Sequence, residues 1–422
     1  MFVNREVSYL LVVIGSHSQQ STVNIHYYLL KPMQIYLDYS ATTPTRPEAI
    51  DAMQKALTQH WGNPSSLHEW GQRAATALEL ARMQVAGLIN ALPESIVFTS
   101  GGTEADNLAI MGIARLYPTP QHIIISSVEH SAVSETARQL EQSGWEVTRL
   151  PVDKFGRVHP WDLQQSVRSN TVLISIIYGQ SEVGTLQPIE ALGQIARDRH
   201  ILFHTDAVQV AGRLPIDVQK LPVDLLSLSS HKLYGPQGTG ALYVRPGVEL
   251  APILTGGGQE LKLRSGTQAV PIIVGFGVAA ELASQEMDAE TARLIELRDR
   301  LFDRLADVPS LVPTGDRYSR LPHHVSFCIV SPDGDTRKVT GKTLVRQLNL
   351  AGIGISSGSA CNSGKLTPSP ILLAMGYSPT MAVGGIRLSL GRETTEADVD
   401  WTASAIEQIL DRLMPKVVLS RR

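Results

Sequence analysis

The sequence predicts an α/β fold, a mostly parallel sheet with helices on both faces, and three observations carry that prediction. From about residue 65 to residue 245, short apolar strand-like runs alternate with helical ones. Several polar stretches fall just past those strands, on the edge where open α/β sheets bind ligands. Near Pro271 the alternation ends, and a long helical segment leads into mixed strands and helices that read as a smaller α+β domain.

Taken in order, residues 65–89 have helical apolar spacing through Leu67, Trp70, Ala74, Leu78, Ala81, Val85 and Leu88. A strand at 96–100 runs into Gly101 and Gly102, which open a helix. Strands at 122–126, 146–152, 171–178 and 201–205 alternate with helices at 131–142, 161–167 and 188–197. Further strands are expected at 224–228 and 241–245. Residues 272–305 read as one long helix, with a break left open. Beyond Pro309, strands at 324–330 and 385–390 mix with helices at 342–350 and 397–413.

Composition narrows the function. The 422 residues are 43% hydrophobic and 18% charged, enough for a large core, and the formal net charge of −3 offers no electrostatic case for nucleic acid or an anionic membrane. Two cysteines, Cys328 and Cys361, are too few for a disulfide-stapled secreted domain, which suggests free thiols in a reducing, cytoplasmic setting. The apolar run at 9–15 is too short to span a bilayer. Met33 is expected as the natural start, with residues 1–32 disordered or absent in the cell.

Residues 229–236, SSHKLYGP, place Lys232 at the end of an apolar strand beside Ser229 and His231. Burying a lysine as a cation is costly. It is either a surface lysine past a strand end or one that forms a Schiff base. Residues 99–104, TSGGTE, put bare amides at a helix start with Thr103 beside them, which suits a phosphate or is a plain cap. Asp206 ends an apolar strand, either as the partner of a cationic or donor group or as a cap for the next turn. His130 lies past another strand on the same edge, where it could stack on a flat ring or move protons. Cys361 sits on a Gly/Ser-rich loop, an unusual place for a residue that is normally buried, whereas Cys328 in an apolar alternation reads as core. Metal readings fail: His323 and His324 are adjacent and point to opposite faces of a strand, and no HExxH or paired CxxC occurs. GFGVAA at 275–280 mimics a dinucleotide fingerprint but lies within the long helix.

These stretches occur in one order: YLDYSATTP at 36–44, GNPSS at 62–66, FTSGGTE at 98–104, Glu129-His130, HTDAVQ at 204–209, SSHKLYGP at 229–236, GGGQE at 256–260 with RSGT at 264–267, and SGSAC at 357–361. That order resembles the cysteine desulfurases of the NifS/IscS type, from about Met33 to the C-terminal helix. The resemblance implies the aspartate aminotransferase-like fold type I of pyridoxal 5'-phosphate (PLP) enzymes. It implies a large PLP-binding domain at 46–294, with a mostly parallel seven-stranded sheet, and a small α+β domain at 33–45 and 295–422.

It further implies that Lys232 carries PLP as a Schiff base, Asp206 pairs with the pyridine nitrogen and His130 stacks on the ring. Gly102, Thr103, Ser229 and His231 would hold the phosphate, with Thr267 reaching in from the other subunit of a homodimer. Gln209 would bond the ring oxygen, and Arg387 would take the carboxylate of L-cysteine. Cys361 would then accept the substrate sulfur as a persulfide, leave L-alanine, and pass the sulfur to an acceptor such as an iron–sulfur scaffold or a tRNA-thiolating system. Nucleic acid and membrane are not expected as direct partners.

Two departures stand out. YGQSEVG at 178–184 replaces the usual Asn-Asn-Glu-x-Gly, so Gln180 stands for the Asn expected to contact the ring oxygen. The segment at 260–264 lacks the arginine often found just after its glutamate. Rival readings are a selenocysteine lyase or another PLP lyase or aminotransferase of this fold, and a degenerate PLP fold serving as a scaffold in a sulfur-transfer complex.

Overall fold

A computed structural model of the chain describes residues 34–330, 339–358 and 367–414, so the expectation for residues 1–32 lies outside the described residues. A seven-stranded sheet runs in the order Ile96–Thr99, Gly240–Val244, Leu225–Ser229, Leu202–Asp206, Thr171–Ser175, His122–Ser126, Glu146–Leu150. The last five strands in that order are parallel to one another, and Gly240–Val244 is antiparallel to both its neighbours. The exception has a steric cause. Only residues 230–239 link it to Leu225–Ser229, too few for the crossover a parallel partner needs.

Alternate strand residues feed two cores, one per face. Val97, Ile123, Ile125, Leu173 and Leu225 pack with Leu108, Ile110 and Val133, while Phe98, Ile124, Ile174, Phe203 and Leu226 pack with Leu78, Val85 and Phe276. A third core fills a four-stranded antiparallel sheet of Ser356–Ser357, Gly385–Ser389, His324–Ile329 and Leu311–Pro313, covered by helices Gly341–Leu350 and Glu396–Leu413.

Helix Val270–Arg304 is continuous over 35 residues and joins the cores, burying Ile273 and Phe276 in one and Leu294 and Leu301 in another. It is long and apolar enough to cross a membrane by length and composition, but Ile273, Phe276, Ala279, Ala280, Leu294 and Leu301 on it are buried in the protein's own cores. Its GFG stretch is explained by packing. A Cβ on Gly277 would lie 2.8 Å from that of Ala81, and one on Gly275 would press on Met53.

The first long helix begins later than the periodicity suggests, at Glu69. Residues 62–68 fold back over its first turn, so a Cβ on Gly71 would meet the Ser66 carbonyl, and Leu67 is exposed instead of buried. A short strand that the apolar pattern does not show, Ile35–Tyr36, pairs in parallel with Ile353–Gly354. It delivers the following turn to Lys232: Thr43 N–H bonds the His231 carbonyl at 3.0 Å, and Arg46 N–H that of Tyr234 at 3.0 Å.

Candidate active site

The parallel strands end on one edge, and most of the predicted site residues gather there. Lys232 closes a single 3₁₀ turn directly after strand Leu225–Ser229. Its Nζ donates to the carbonyls of Ser40 and Ala41, each at 2.7 Å. Burial and the nearby Arg387 guanidinium depress its pKa to about 8. A fraction of Lys232 is therefore an uncharged amine near neutral pH, the form needed by a nucleophile or base.

Asp206 ends the neighbouring strand and is buried. It accepts the Val208 N–H at 2.9 Å. Burial raises its pKa, while His130 and Lys232 oppose the rise. Polar side-chain atoms of His130, Asp206 and Asp106 lie within 4.8 Å of one another. His130 caps helix Ser131–Gln142, its Nδ1 accepting the Ala132 N–H at 3.2 Å. Glu129 pins that turn by accepting from Ser126 and from Ile177 N–H. Burial pushes the Glu129 pKa up to about 8.

Helix Gly102–Ala114 starts with no side-chain cap, which leaves its first N–H groups for a ligand. Gly102 must be small, because a Cβ there would sit 2.8 Å from Val208 Cγ2 and 3.5 Å from Ser229 Cβ. Thr103 is exposed on the first turn. His231 Nδ1 pairs with Thr42 Oγ1 at 3.0 Å, and burial lowers its pKa to about 4, so it is neutral. Gln209 donates from Nε2 to the Ser40 carbonyl at 3.0 Å, and its buried Oε1 has no partner. An uncapped helix start, an unmatched amide oxygen and a carboxylate at the edge together fit a phosphorylated, nitrogen-bearing ring, so the residues present suit PLP.

Gln180 is engaged by its own turn and by the turn that follows strand His122–Ser126. Its Oε1 accepts from both Glu182 N–H and Val183 N–H, and its Nε2 donates to the Val128 carbonyl. Arg387 is held by the Ser181 carbonyl at 2.9 Å and Asp38 at 2.7 Å, with its buried Nε unpartnered. Thr267 is exposed on the loop anchored by Glu260. Cys361 lies outside the described residues, while Cys328 is fully buried, as its pattern implies, with burial raising its pKa to about 12.

Sequence reasoning missed four contributors: the Ser40 and Ala41 carbonyls, Asp38 and Asp106. Backbone carbonyls leave no residue-type signal. Asp106 did leave one, a charge inside the apolar helical run of Ala105, Leu108, Ala109 and Ile110.

Residues 35–401 match the family described as Aminotransferase class-V, and the chain belongs to it. Within that family it belongs with the cysteine desulfurases of the NifS/IscS type, which are PLP-dependent. It is 45% identical to the cysteine desulfurase IscS of Dictyoglomus turgidum over 385 residues, 90% of this chain and 95% of that protein. Among solved structures, a NifS-like protein is 36% identical with a TM-score of 0.83, covering 90% of this chain and all of that one. A structure described as SspA in complex with cysteine is 37% identical with a TM-score of 0.74, covering 84% and 98% of the two chains.

Proposed function

We infer that this protein is a cysteine desulfurase that takes sulfur from L-cysteine, releases L-alanine and loads the sulfur on Cys361. The observation that carries the reading is the meeting of Lys232, Asp206 and the uncapped start of helix Gly102–Ala114 on one sheet edge. When bound, PLP supplies an electron sink for the charge left on the substrate Cα.

The protein's own groups do the rest. Lys232 anchors the cofactor and then, as a free amine, takes the Cα proton at Nζ; its depressed pKa suits it to that work. Asp206 keeps its negative charge toward the ring nitrogen, and His130 lies beside it to cover the ring. Gly102, Thr103, Ser229 and His231 surround the phosphate, and Thr267 reaches that of a second protomer in a homodimer. Arg387, already oriented by Asp38 and Ser181, takes the substrate carboxylate. Gln209 faces the ring oxygen, and Gln180 holds the adjoining turn. The Cys361 thiolate attacks the substrate sulfur: an S–S bond forms, the Cβ–S bond breaks, and Cβ gains a proton to become the methyl group of alanine.

The persulfide then goes to an acceptor protein of iron–sulfur assembly or tRNA thiolation, in a reducing cytoplasm that keeps Cys328 and Cys361 as thiols. The test is direct. The purified protein should be yellow and, with L-cysteine and a thiol reductant, should release sulfide and alanine in equal amounts. Alanine formation without sulfide would sink the reading, as would no turnover from the yellow protein.

A further inference from the structure

Asp106 presents a charge problem that the reaction above does not use. It is 1% exposed on helix Gly102–Ala114, and its Oδ1 has no hydrogen-bond partner. Facing it are Asp206 and His204 on one strand, Ser227 on the next, and Glu129 and His130 at the start of the following helix. The Ser227 hydroxyl favours its charged form. His204 Nε2 stands 3.7 Å from its Oδ1 but brings no charge: both ring nitrogens face hydroxyls, Ser175 at 2.8 Å and Ser227 at 3.0 Å, and burial lowers the His204 pKa to about 3.

Carboxylate oxygens of Asp106 and Asp206 lie within 4.8 Å, and both residues are buried. Two carboxylates so placed do not both ionise. Asp206 has the better claim to the charge, since it takes the Val208 N–H and has His130 and Lys232 nearby. Asp106 has the Ser227 hydroxyl in its favour, against burial and the Asp206 and Glu129 carboxyls.

We propose that Asp106 is an un-ionised carboxylic acid and a positioning residue: it leaves the pair one negative charge and places that charge on Asp206. The consequence for the cofactor rests on the PLP reading, because Asp206 is the group assigned to the ring nitrogen. The protonation state itself does not rest on it.

The experiment compares the thermal unfolding of wild-type holoenzyme and Asp106→Asn between pH 5 and 8. An acid whose folded pKa is raised is fully stabilising below its unfolded value of about 4, and that stability is lost as pH rises toward the folded pKa. Asn has no proton to lose. The variant's advantage should therefore grow with pH, by up to about tenfold in the folding constant per pH unit. A difference that is flat or shrinks with pH overturns the proposal.

A second measurement needs no variant. Wild-type enzyme labelled with ¹³C only at aspartate carboxyls should show an isotope-shifted protonated-carboxyl infrared band at neutral pH, and its absence overturns the proposal too. If the wild-type protein lacks visible cofactor absorbance, the PLP reading fails while both results still stand.

Discussion

Two buried polar clusters flank the short strand Ile96–Thr99, and they are built on opposite terms. One is the clamp between Arg82 and Glu260. Its carboxylate accepts two bonds from Arg82, one from Phe98 N–H and one from Gln268, and Arg82 also donates to the Ile96 carbonyl. The other is the Lys232 edge, where Gln209 Oε1 and Asp106 Oδ1 lack partners and the pKa values of Lys232, Asp206 and Asp106 are displaced by burial. A satisfied buried network rigidifies; an unsatisfied one waits for a ligand. The clamp even sustains three successive non-glycine residues with positive φ, Glu260, Leu261 and Lys262, at 38°, 57° and 63°. Such a run persists only where surrounding contacts over-determine it. The comparison teaches that burial alone does not mark a site: the Glu260 carboxylate is matched by a guanidinium, whereas on the Lys232 edge buried titratable groups lie together with displaced pKa values.

The largest test breaks the reactive side. Cys361→Ser should lower alanine formation by at least about 10³-fold while the visible cofactor absorbance stays, and Lys232→Ala should lose turnover by about 10²–10⁴-fold together with that absorbance. Full turnover in either variant refutes the assignment.

Next comes the clamp. Glu260→Ala strands a buried guanidinium and should cost about 3–5 kcal/mol, read as a clear drop in melting temperature. A loss below about 1 kcal/mol would show that the clamp is not structural. Gly102→Ala places a methyl group against Val208 and Ser229 and should weaken cofactor binding about tenfold, as measured by titration of the cofactor-free enzyme; unchanged affinity would remove the helix start from the phosphate site.

A pH profile sharpens the contrast further. The base is the unprotonated Lys232, so the single-turnover rate should rise with pH and level off above about 8. Stability carries the matching sign. The folded pKa lies below the unfolded one, so the cost of burying the cation is present below about pH 8 and is relieved as pH rises toward the ordinary lysine value. The smallest effect is expected from Leu261→Gly, which should stabilise the protein by roughly 1 kcal/mol by relieving one left-handed residue.

Much of the fold was legible in the sequence. The strand at 122–126, the helix at 131–142 and the strand ends near Asp206 and Lys232 follow from periodicity, because one face or both must be buried. The antiparallel Gly240–Val244 strand was legible only as a strand, since its direction depends on connection length and pairing. Leu67 misled, because a fold-back at Gly71 overrode helical spacing. Gln180 was legible as an amide, but its partners, the Glu182 and Val183 N–H groups and the Val128 carbonyl, were not.

The sequence by itself determined the inventory of this protein: a parallel-sheet core, a lysine, an aspartate and a histidine at the ends of three strands, and a glycine turn opening a helix. These follow from local chemistry, which residue order encodes directly. Only the tertiary structure decided which of them meet and what surrounds them. The pair of carbonyls from Ser40 and Ala41 that holds the Lys232 amine comes from a turn about 190 residues away, brought in by a strand of two residues. The buried Asp106 beside Asp206, and the pairing of Arg82 with Glu260, depend likewise on long-range packing. Desolvation is set by neighbours in space, and no local pattern records it.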